Sequence, residues 1–277
     1  MIANLFRMFC RVSPELKSMI WKQWYQFLAK SYQRHDWNFM NLGYASVNDL
    51  TEKLHLDEMD ETNRLCIQLY HQVASAIDLK DRNVLEVGSG RGGGADYIKR
   101  YLNPITMVGV DFSENAVAFC NQNYVVDGLS FETGNAESLP FTDNSFDVVI
   151  NIESSHCYGS MDAFLGQVQR VLREDGYFLF ADFRDEVTID IIRKQMHNAG
   201  LVIRKETDIT PNVIEALNLD NERKTARIKR IVYKPLIPSF LEFAGTKGSQ
   251  TYERLKSGKY IYFDFVLQKR REYACFV

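Results

Sequence analysis

Two short segments of this sequence carry residues that could do chemistry. In LEVGSGRGGGADY, residues 85–97, Glu86 closes an apolar run and five glycines follow within seven residues. In IESSHCY, residues 152–158, His156 follows a second apolar run, and Asp182 comes near the end of a third, FLFADF. Bare glycine backbone lets a ligand approach closely, and histidine is suited to accept a proton near neutral pH. The two segments together predict a small-molecule site with a general base.

The glycine loop leaves the class of ligand open at first. Gly88, Gly90 and Gly93 satisfy G-x-G-x-x-G, and Asp111 ends the next strand-like segment, where a dinucleotide-binding protein places its ribose-binding acid. A pyrophosphate favours an uncluttered helix N-terminus, and the carboxylate of Glu86 would repel it. S-adenosylmethionine carries a sulfonium and an ammonium but no phosphate, so it suits an acidic strand end. We therefore predict this cofactor, with NAD and a simple tight turn as the alternatives.

Strand-like and helix-like segments alternate around these residues. Short apolar runs indicate seven strands, separated by segments with helical spacing. This alternation predicts an α/β fold with a doubly wound, mostly parallel, seven-stranded sheet, in which ligands lie beyond the carboxyl ends of the strands. The strand-like segments are NVLEVG, MVGVDFS, LSFETGN, FDVVINIES, GYFLFADF, LVIRKETDI and YIYFDFVLQKR.

The flanking segments predict two helical additions to a single domain that spans residues 1–277. Residues 14–34 are rich in aromatic side chains at helical spacing, a second helix is expected from Asp60 to Asp78, and both belong to an N-terminal lid over residues 1–80. The sheet would occupy residues 81–210 and 258–277. The polar, helical segment 211–257 would form a cap inserted before the last strand.

Composition excludes several classes of protein. A net charge of −3 and a pI near 6.0 argue against a nucleic-acid surface, and no apolar run reaches the length of about 20 residues that a membrane-spanning helix needs. The five cysteines are scattered, which favours reduced thiols in a cytoplasmic protein. The histidines outside IESSHCY lack metal-ligand spacing, so no metal is expected. The oligomeric state stays open, a homodimer included.

Four longer segments carry a resemblance to a known family. VLEVGSGRGGG, GVDFS, GNAESLPFTDNSFDVVI and VLREDGYFLFADF, within residues 84–183, resemble the motifs of class I S-adenosylmethionine-dependent methyltransferases in order and spacing. INIESSHCY, EVGSGRGGGADYIKRYL and NRLCIQLYHQVA look like the phthiotriol and phenolphthiotriol dimycocerosate methyltransferases, which O-methylate a lipid-like polyketide. The resemblance implies that Asn135, where the family usually has Asp, and the backbone of Ala136 lie at the adenine edge.

The resemblance also extends the set of cofactor-binding residues. In NFMNLGYAS, related enzymes place an aromatic residue over the amino-acid end of the cofactor, and Tyr44 is that residue here; packing within the lid is the alternative role. Glu153 is a further acid whose direction depends on the register of its strand. The predicted cofactor-binding residues are Tyr44, Glu86, Gly88, Ser89, Gly90, Asp111, Phe112, Asn135, Ala136, Glu137 and Asn151.

The predicted catalytic residues are His156 and Asp182. Methyl transfer to a hydroxyl benefits from a general base, and His156 follows the fourth strand, where a bound methyl group would lie. Asp182, at the end of the next strand, would orient His156 or hold the substrate hydroxyl; a structural histidine and a helix-capping aspartate are the alternatives.

The aromatic lid and the cap favour a bulky apolar substrate from natural-product biosynthesis, such as a polyketide or a lipid, methylated on a hydroxyl. Four alternatives stay open. They are methylation on carbon, a methyltransferase-like cyclase that binds the cofactor without transferring its methyl group, an interaction protein that uses the basic segment RKTARIKR, and a nicotinamide-dependent dehydrogenase.

Overall fold

Seven strands form one sheet in the computed structural model, which describes residues 37–47 and 54–270. The strands lie in the order β3-β2-β1-β4-β5-β7-β6. All neighbours are parallel except β7, which is antiparallel to both β5 and β6. The predicted α/β sheet is therefore confirmed. Its strands are β1 Asn83–Val87, β2 Thr106–Asp111, β3 Leu129–Thr133, β4 Phe146–Ile152, β5 Leu172–Arg184, β6 Leu201–Asp208 and β7 Ile261–Lys269.

Helices cover both faces of the sheet. Their apolar sides pack onto two clusters of buried residues, one on each face, because parallel strands are hydrophobic on both sides. Serine or aspartate side chains cap several of these helices, including Ser113 and Asp185. The described α-helices are α1 Arg64–Ala74, α2 Gly93–Tyr97, α3 Glu114–Asn123, α4 Met161–Val171, α5 Glu186–Asn198, α6 Thr210–Ile231, α7 Ile237–Phe243 and α8 Gln250–Lys256.

Strand order places the candidate site at the carboxyl ends of the central strands. The chain runs from β1 outward to β2 and β3, then returns to β4 on the other side of β1. Glu86 pairs with Gly109 on one side and with Ile150 on the other, so the carboxyl ends of β1, β2 and β4 meet at the same level. The helices diverge at such a reversal and leave a crevice.

Some element boundaries differ from the predicted ones. The helix expected from Asp60 to Asp78 is a 3-10 segment, Glu58–Asn63, followed by the shorter α1. Strand β5 begins at Leu172, immediately after α4, because that buried leucine pairs with Phe146 of β4.

Three α-helices, α6, α7 and α8, lie between β6 and β7, which is where the sequence predicts a helical cap. The aromatic helix predicted at 14–34, in the N-terminal lid, falls outside the described residues. The limits of the lid and of the cap stay predictions.

Candidate active site

A cavity of about 460 Å³ lies beyond the carboxyl ends of β1, β2 and β4, a volume within the usual range of ligand pockets. Its walls come from the glycine loop, the segment after β4, the end of β5, the cap and residues 38–42 near the N-terminus. Of the predicted site residues, those that line it are Gly88, Ser89, Gly90, Asp111, Phe112 and His156.

Two glycines give the loop its shape. Gly88 and Gly90 have φ angles of +80° and +53°, which side chains with a Cβ rarely adopt. A Cβ at Gly88 would lie 2.2 Å from Oγ of Ser154, so no larger residue fits there. The N–H of Gly90 donates a hydrogen bond to Oδ2 of Asp111 at 2.9 Å, which fixes the loop against the end of β2. The loop therefore presents backbone to the cavity.

Glu86 lies behind the cavity wall and does not line it. Its side chain is fully buried, and the hydroxyl of Tyr70, which does line the cavity, donates to Oε1 of Glu86 at 2.7 Å. Burial raises the pKa of Glu86 from 4.5 to about 7, against the lowering effect of the Tyr70 hydrogen bond. An ionised Glu86 is therefore costly at neutral pH unless positive charge lies nearby.

This raised pKa makes a prediction about stability. An acid with a higher pKa in the folded than in the unfolded protein stabilises the fold at low pH, and that stability is lost as pH rises through about 7. Glu86→Gln keeps an acceptor for Tyr70 but cannot ionise. In the cofactor-free protein, we expect the variant to equal the wild type near pH 4.5 and to exceed it above pH 7, by roughly 3 kcal/mol.

Denaturant unfolding of both proteins at pH 5 and pH 8 measures the difference directly. A gap between variant and wild type that does not widen with pH would contradict the assigned pKa of Glu86.

Buried polar atoms without partners surround the cavity. Within the described ranges, Ser89 Oγ, Asn41 Oδ1, Asn151 Oδ1 and Glu86 Oε2 make no hydrogen bond. Ser89 and Asn41 line the cavity, and such atoms are unfavourable unless a ligand or water satisfies them. The cavity thus combines a glycine loop without side chains, two oxygens without hydrogen-bond partners, and the carboxylate of Asp111. This combination fits a ligand that offers hydrogen-bond donors and ribose hydroxyls. These residues therefore fit S-adenosylmethionine.

The other predicted cofactor residues do not line the cavity. The Asn135 side chain accepts a hydrogen bond from the Glu137 N–H at 3.0 Å, and Oε1 of Glu137 accepts one from the Gly159 N–H at 2.8 Å. Ala136 is buried against the core, and Asn151 donates to the Val87 carbonyl. The structure therefore places Asn135, Ala136 and Glu137 in a turn with its own internal hydrogen bonds.

Residues 37–47, here called the N-terminal strap, pass close to the glycine loop. Tyr44 packs against the core and its N–H donates to the Leu65 carbonyl at 2.9 Å, but it does not line the cavity. Asn38, Met40, Asn41 and Leu42 do line it, and sequence reasoning missed them. The signal was available, because NFMNLGYAS carries these residues two to six positions before Tyr44.

His156 and Asp182 form a hydrogen-bonded pair at the cavity. His156 lies in a 3-10 turn after β4, and its Nδ1 is 3.0 Å from Oδ1 of Asp182. Asp182 is fully buried, and its Oδ2 also accepts from the Ser155 hydroxyl at 2.7 Å and the His156 N–H at 3.2 Å. Asp182 caps no helix; Asp185 caps α5 instead. The carboxylate therefore fixes the ring of His156.

Arg184 completes this group, and sequence reasoning missed it although it follows Asp182 by two residues. Its Nη1 lies 2.9 Å from Oδ1 of Asp182. Burial opposes ionisation of Asp182, but Arg184 and His156 outweigh it and hold the pKa of Asp182 well below its usual range. Burial also lowers the pKa of His156, but the adjacent Cys157 and the Asp182 carboxylate raise it, and the net pKa lies above 6.5.

The described residues offer neither a metal site nor a membrane-spanning helix. Within residues 37–47 and 54–270, no group of three His, Cys, Asp or Glu side chains is placed to hold a metal ion. No helix in those ranges has both the length and the apolar character to cross a membrane.

Comparison with known proteins identifies related chains. A family model described as a methyltransferase domain matches residues 78–238. A probable phthiotriol/phenolphthiotriol dimycocerosates methyltransferase 2 of Mycobacterium ulcerans is 38% identical over 82% of this chain and 85% of its own length. A fatty-acid O-methyltransferase of Mycolicibacterium smegmatis is 37% identical over 78% of this chain and 77% of its own.

Solved structures share the fold at low sequence identity. The [4+2]-cyclase SpnF superposes with a TM-score of 0.70 at 18% identity, over 91% of this chain and 95% of its own. A geranyl diphosphate C-methyltransferase from Streptomyces coelicolor, solved with S-adenosyl-L-homocysteine, gives 0.63 at 16% identity, over 88% and 98%. At these identities the likeness concerns the fold alone, which hosts more than one reaction.

Proposed function

This chain belongs to the class I S-adenosylmethionine-dependent methyltransferases, and from that premise we propose that it methylates a hydroxyl on a bulky apolar small molecule. The observation that carries the proposal is the His156–Asp182 pair, whose nitrogen and oxygen lie 3.0 Å apart beside the cavity. Transfer to a hydroxyl needs an acceptor for its proton, and this pair supplies one.

S-adenosyl-L-methionine supplies an electrophilic methyl group when it is bound. In this proposal the backbone of Gly88 and Gly90 and the hydroxyl of Ser89 hold its methionine part, and Asp111 holds its ribose. Asn41 of the N-terminal strap adds an acceptor to the cavity wall. Holding both reactants in place can lower the barrier by roughly 7–11 kcal/mol in well-oriented systems.

His156 acts as the general base in this mechanism. Nδ1–H donates to Asp182, and Nε2 accepts the proton of the substrate hydroxyl as its oxygen forms the new bond to carbon. Asp182 stays ionised throughout, because Arg184 and the buried hydrogen bonds favour its charged form. The carboxylate thereby orients the ring and stabilises the imidazolium that proton transfer creates.

The walls of the cavity support an apolar substrate. Among its lining residues are Phe183, Phe243 and Tyr260, together with Met40 and Leu42 of the N-terminal strap. The relatives named above act, by their names, on dimycocerosates and on a fatty acid. A lipid or polyketide chain would bury its apolar surface against these side chains.

A second candidate acceptor is a carboxylate. The specific observation is the combination of Arg184 with a His156 whose pKa lies above its usual value, because a protonated imidazole beside an arginine attracts a carboxylate. A carboxylate carries no proton to remove, so methyl ester formation needs no base.

The pH dependence of kcat/KM distinguishes the two acceptors. For 1-decanol, the hydroxyl proposal predicts that kcat/KM rises as pH rises through the pKa of His156, because only the neutral ring accepts a proton. Asp182→Asn should move this rise to lower pH, since the carboxylate that raises the pKa of His156 is gone. For decanoate, ester formation predicts the opposite slope. If only decanoate is turned over, and its kcat/KM falls as pH rises, the methylated group is a carboxylate and the hydroxyl proposal is wrong.

A further inference from the structure

Glu153 holds an unusual conformation at the wall of the cavity. It follows β4 directly and has a φ angle of +47°, in the left-handed region that residues with a Cβ rarely occupy. Its N–H still donates to the Ala181 carbonyl at 2.8 Å, so the strand pairing continues while the side chain changes direction. Strained backbone of this kind persists where the surrounding structure imposes it, often at functional sites.

The two carboxylate oxygens of Glu153 have different surroundings. Oε1 accepts two hydrogen bonds, from the Leu42 N–H of the N-terminal strap and from the Tyr262 hydroxyl of β7, both at 2.8 Å. Oε2 accepts none from the part of the chain that the structure describes. Glu153 is partly exposed and lines the cavity, so Oε2 is accessible to a bound molecule. Holding the strap in place accounts for one oxygen only.

One set of contacts connects Glu153 with the His156 side of the cavity. The glycine loop follows β1, whereas Glu153 reaches across β5 to Tyr262 on β7, in the opposite direction along the sheet. Tyr262 pairs with Phe183, whose ring packs 5.4 Å from that of His156. The charge of Asp182 raises the pKa of Glu153 and the charge of His156 lowers it.

We propose that Oε2 of Glu153 accepts a hydrogen bond from a second hydroxyl of the substrate while His156 accepts the proton of the methylated one. The preferred acceptor is then an apolar molecule with two neighbouring hydroxyls. Burial raises the pKa of Glu153 to about 7, so the carboxylate is ionised above that pH. An ionised Oε2 favours a ligand that donates a hydrogen bond and is left as a desolvated charge when the ligand has no donor, so a mono-alcohol binds more weakly. This inference rests on the proposed function, because it assumes a hydroxyl at His156.

The test compares alcohols that differ by one hydroxyl. Dissociation constants of 1-decanol, decane-1,2-diol and decane-1,3-diol are measured by calorimetry, with S-adenosyl-L-homocysteine present to prevent turnover. In the wild type, at least one diol should bind about 10-fold more tightly than 1-decanol. Glu153→Ala should remove this preference, and Glu153→Gln, which keeps an acceptor for Leu42 and Tyr262, should reduce it because the charge is lost.

Tyr262→Phe is the matched control, since it removes one bond to Oε1 and leaves Oε2 unchanged. A purely structural Glu153 predicts that Tyr262→Phe and Glu153→Gln alter all three alcohols alike. The inference is overturned if the wild type shows no diol preference, or if the preference survives in both Glu153 variants. If no alcohol binds while decanoate does, the proposed methylation of a hydroxyl is contradicted. The role of Glu153, which depends on that proposal, is then contradicted as well.

Discussion

Replacing His156 with alanine is expected to lower turnover at least about 100-fold while cofactor affinity stays nearly unchanged. The imidazole is held by a fully buried carboxylate beside the cavity, where it removes the proton of the acceptor hydroxyl. The residues assigned to the cofactor, the glycine loop and Asp111, belong to the ends of β1 and β2, whereas His156 follows β4. The variant should therefore lose turnover without losing affinity for the cofactor.

Single-turnover rates and calorimetric titration with S-adenosyl-L-homocysteine measure the two effects of His156→Ala. His197→Ala is a suitable control, because His197 is exposed at the end of α5 and does not line the cavity. Turnover within a few fold of the wild type would remove His156 from the mechanism, and a parallel loss of cofactor affinity would assign it a structural role.

The second large effect is expected at Gly90. Gly90→Leu should weaken cofactor binding at least about 100-fold, equivalent to roughly 2.7 kcal/mol. The side chain would fill the space that the ligand needs beside the loop, and a Cβ there already lies 2.8 Å from the end of Met40 in the N-terminal strap. The loop could no longer present bare backbone, and its φ of +53° would be strained.

Gly258→Leu separates backbone strain from lost ligand contact. Gly258 has a φ of +71°, but a Cβ added there would meet no atom within 4 Å beyond its chain neighbours, and the residue lies after α8, outside the cavity. Both variants should lose stability on thermal unfolding, but only Gly90→Leu should lose affinity in calorimetry. Equal cofactor affinity in the two variants would contradict the assignment of the loop.

The fold was predictable because its signals are local and repeat along the chain. Each strand is a short apolar run bounded by turn residues, and each crossover carries helical spacing, so hydrophobic pattern alone indicates a parallel sheet. The predicted boundaries failed where tertiary contacts decide them. The predicted strand GYFLFADF begins at Gly176, but the pairing of Leu172 with Phe146 makes β5 begin at Leu172.

The site was predictable where it depends on strand ends and not where it depends on side-chain direction. His156, Asp182 and the loop glycines follow from the rule that parallel strands end at one edge. Glu86 could not be placed, because its contact with Tyr70 joins residues 16 positions apart through the fold. The side-chain direction of Glu153 could not be predicted either, because it depends on a left-handed backbone conformation that hydrophobic periodicity does not indicate.

The fate of the transferred methyl group tests the central proposal most directly. The protein is incubated with S-adenosyl-L-methionine labelled with carbon-13 in its methyl group and with an equimolar mixture of 1-decanol, the decanediols and decanoate, and the product is analysed by carbon-13 NMR and mass spectrometry. The proposal predicts a labelled methyl ether of an alcohol. A labelled methyl ester or a new carbon–methyl bond, with no ether, would contradict it.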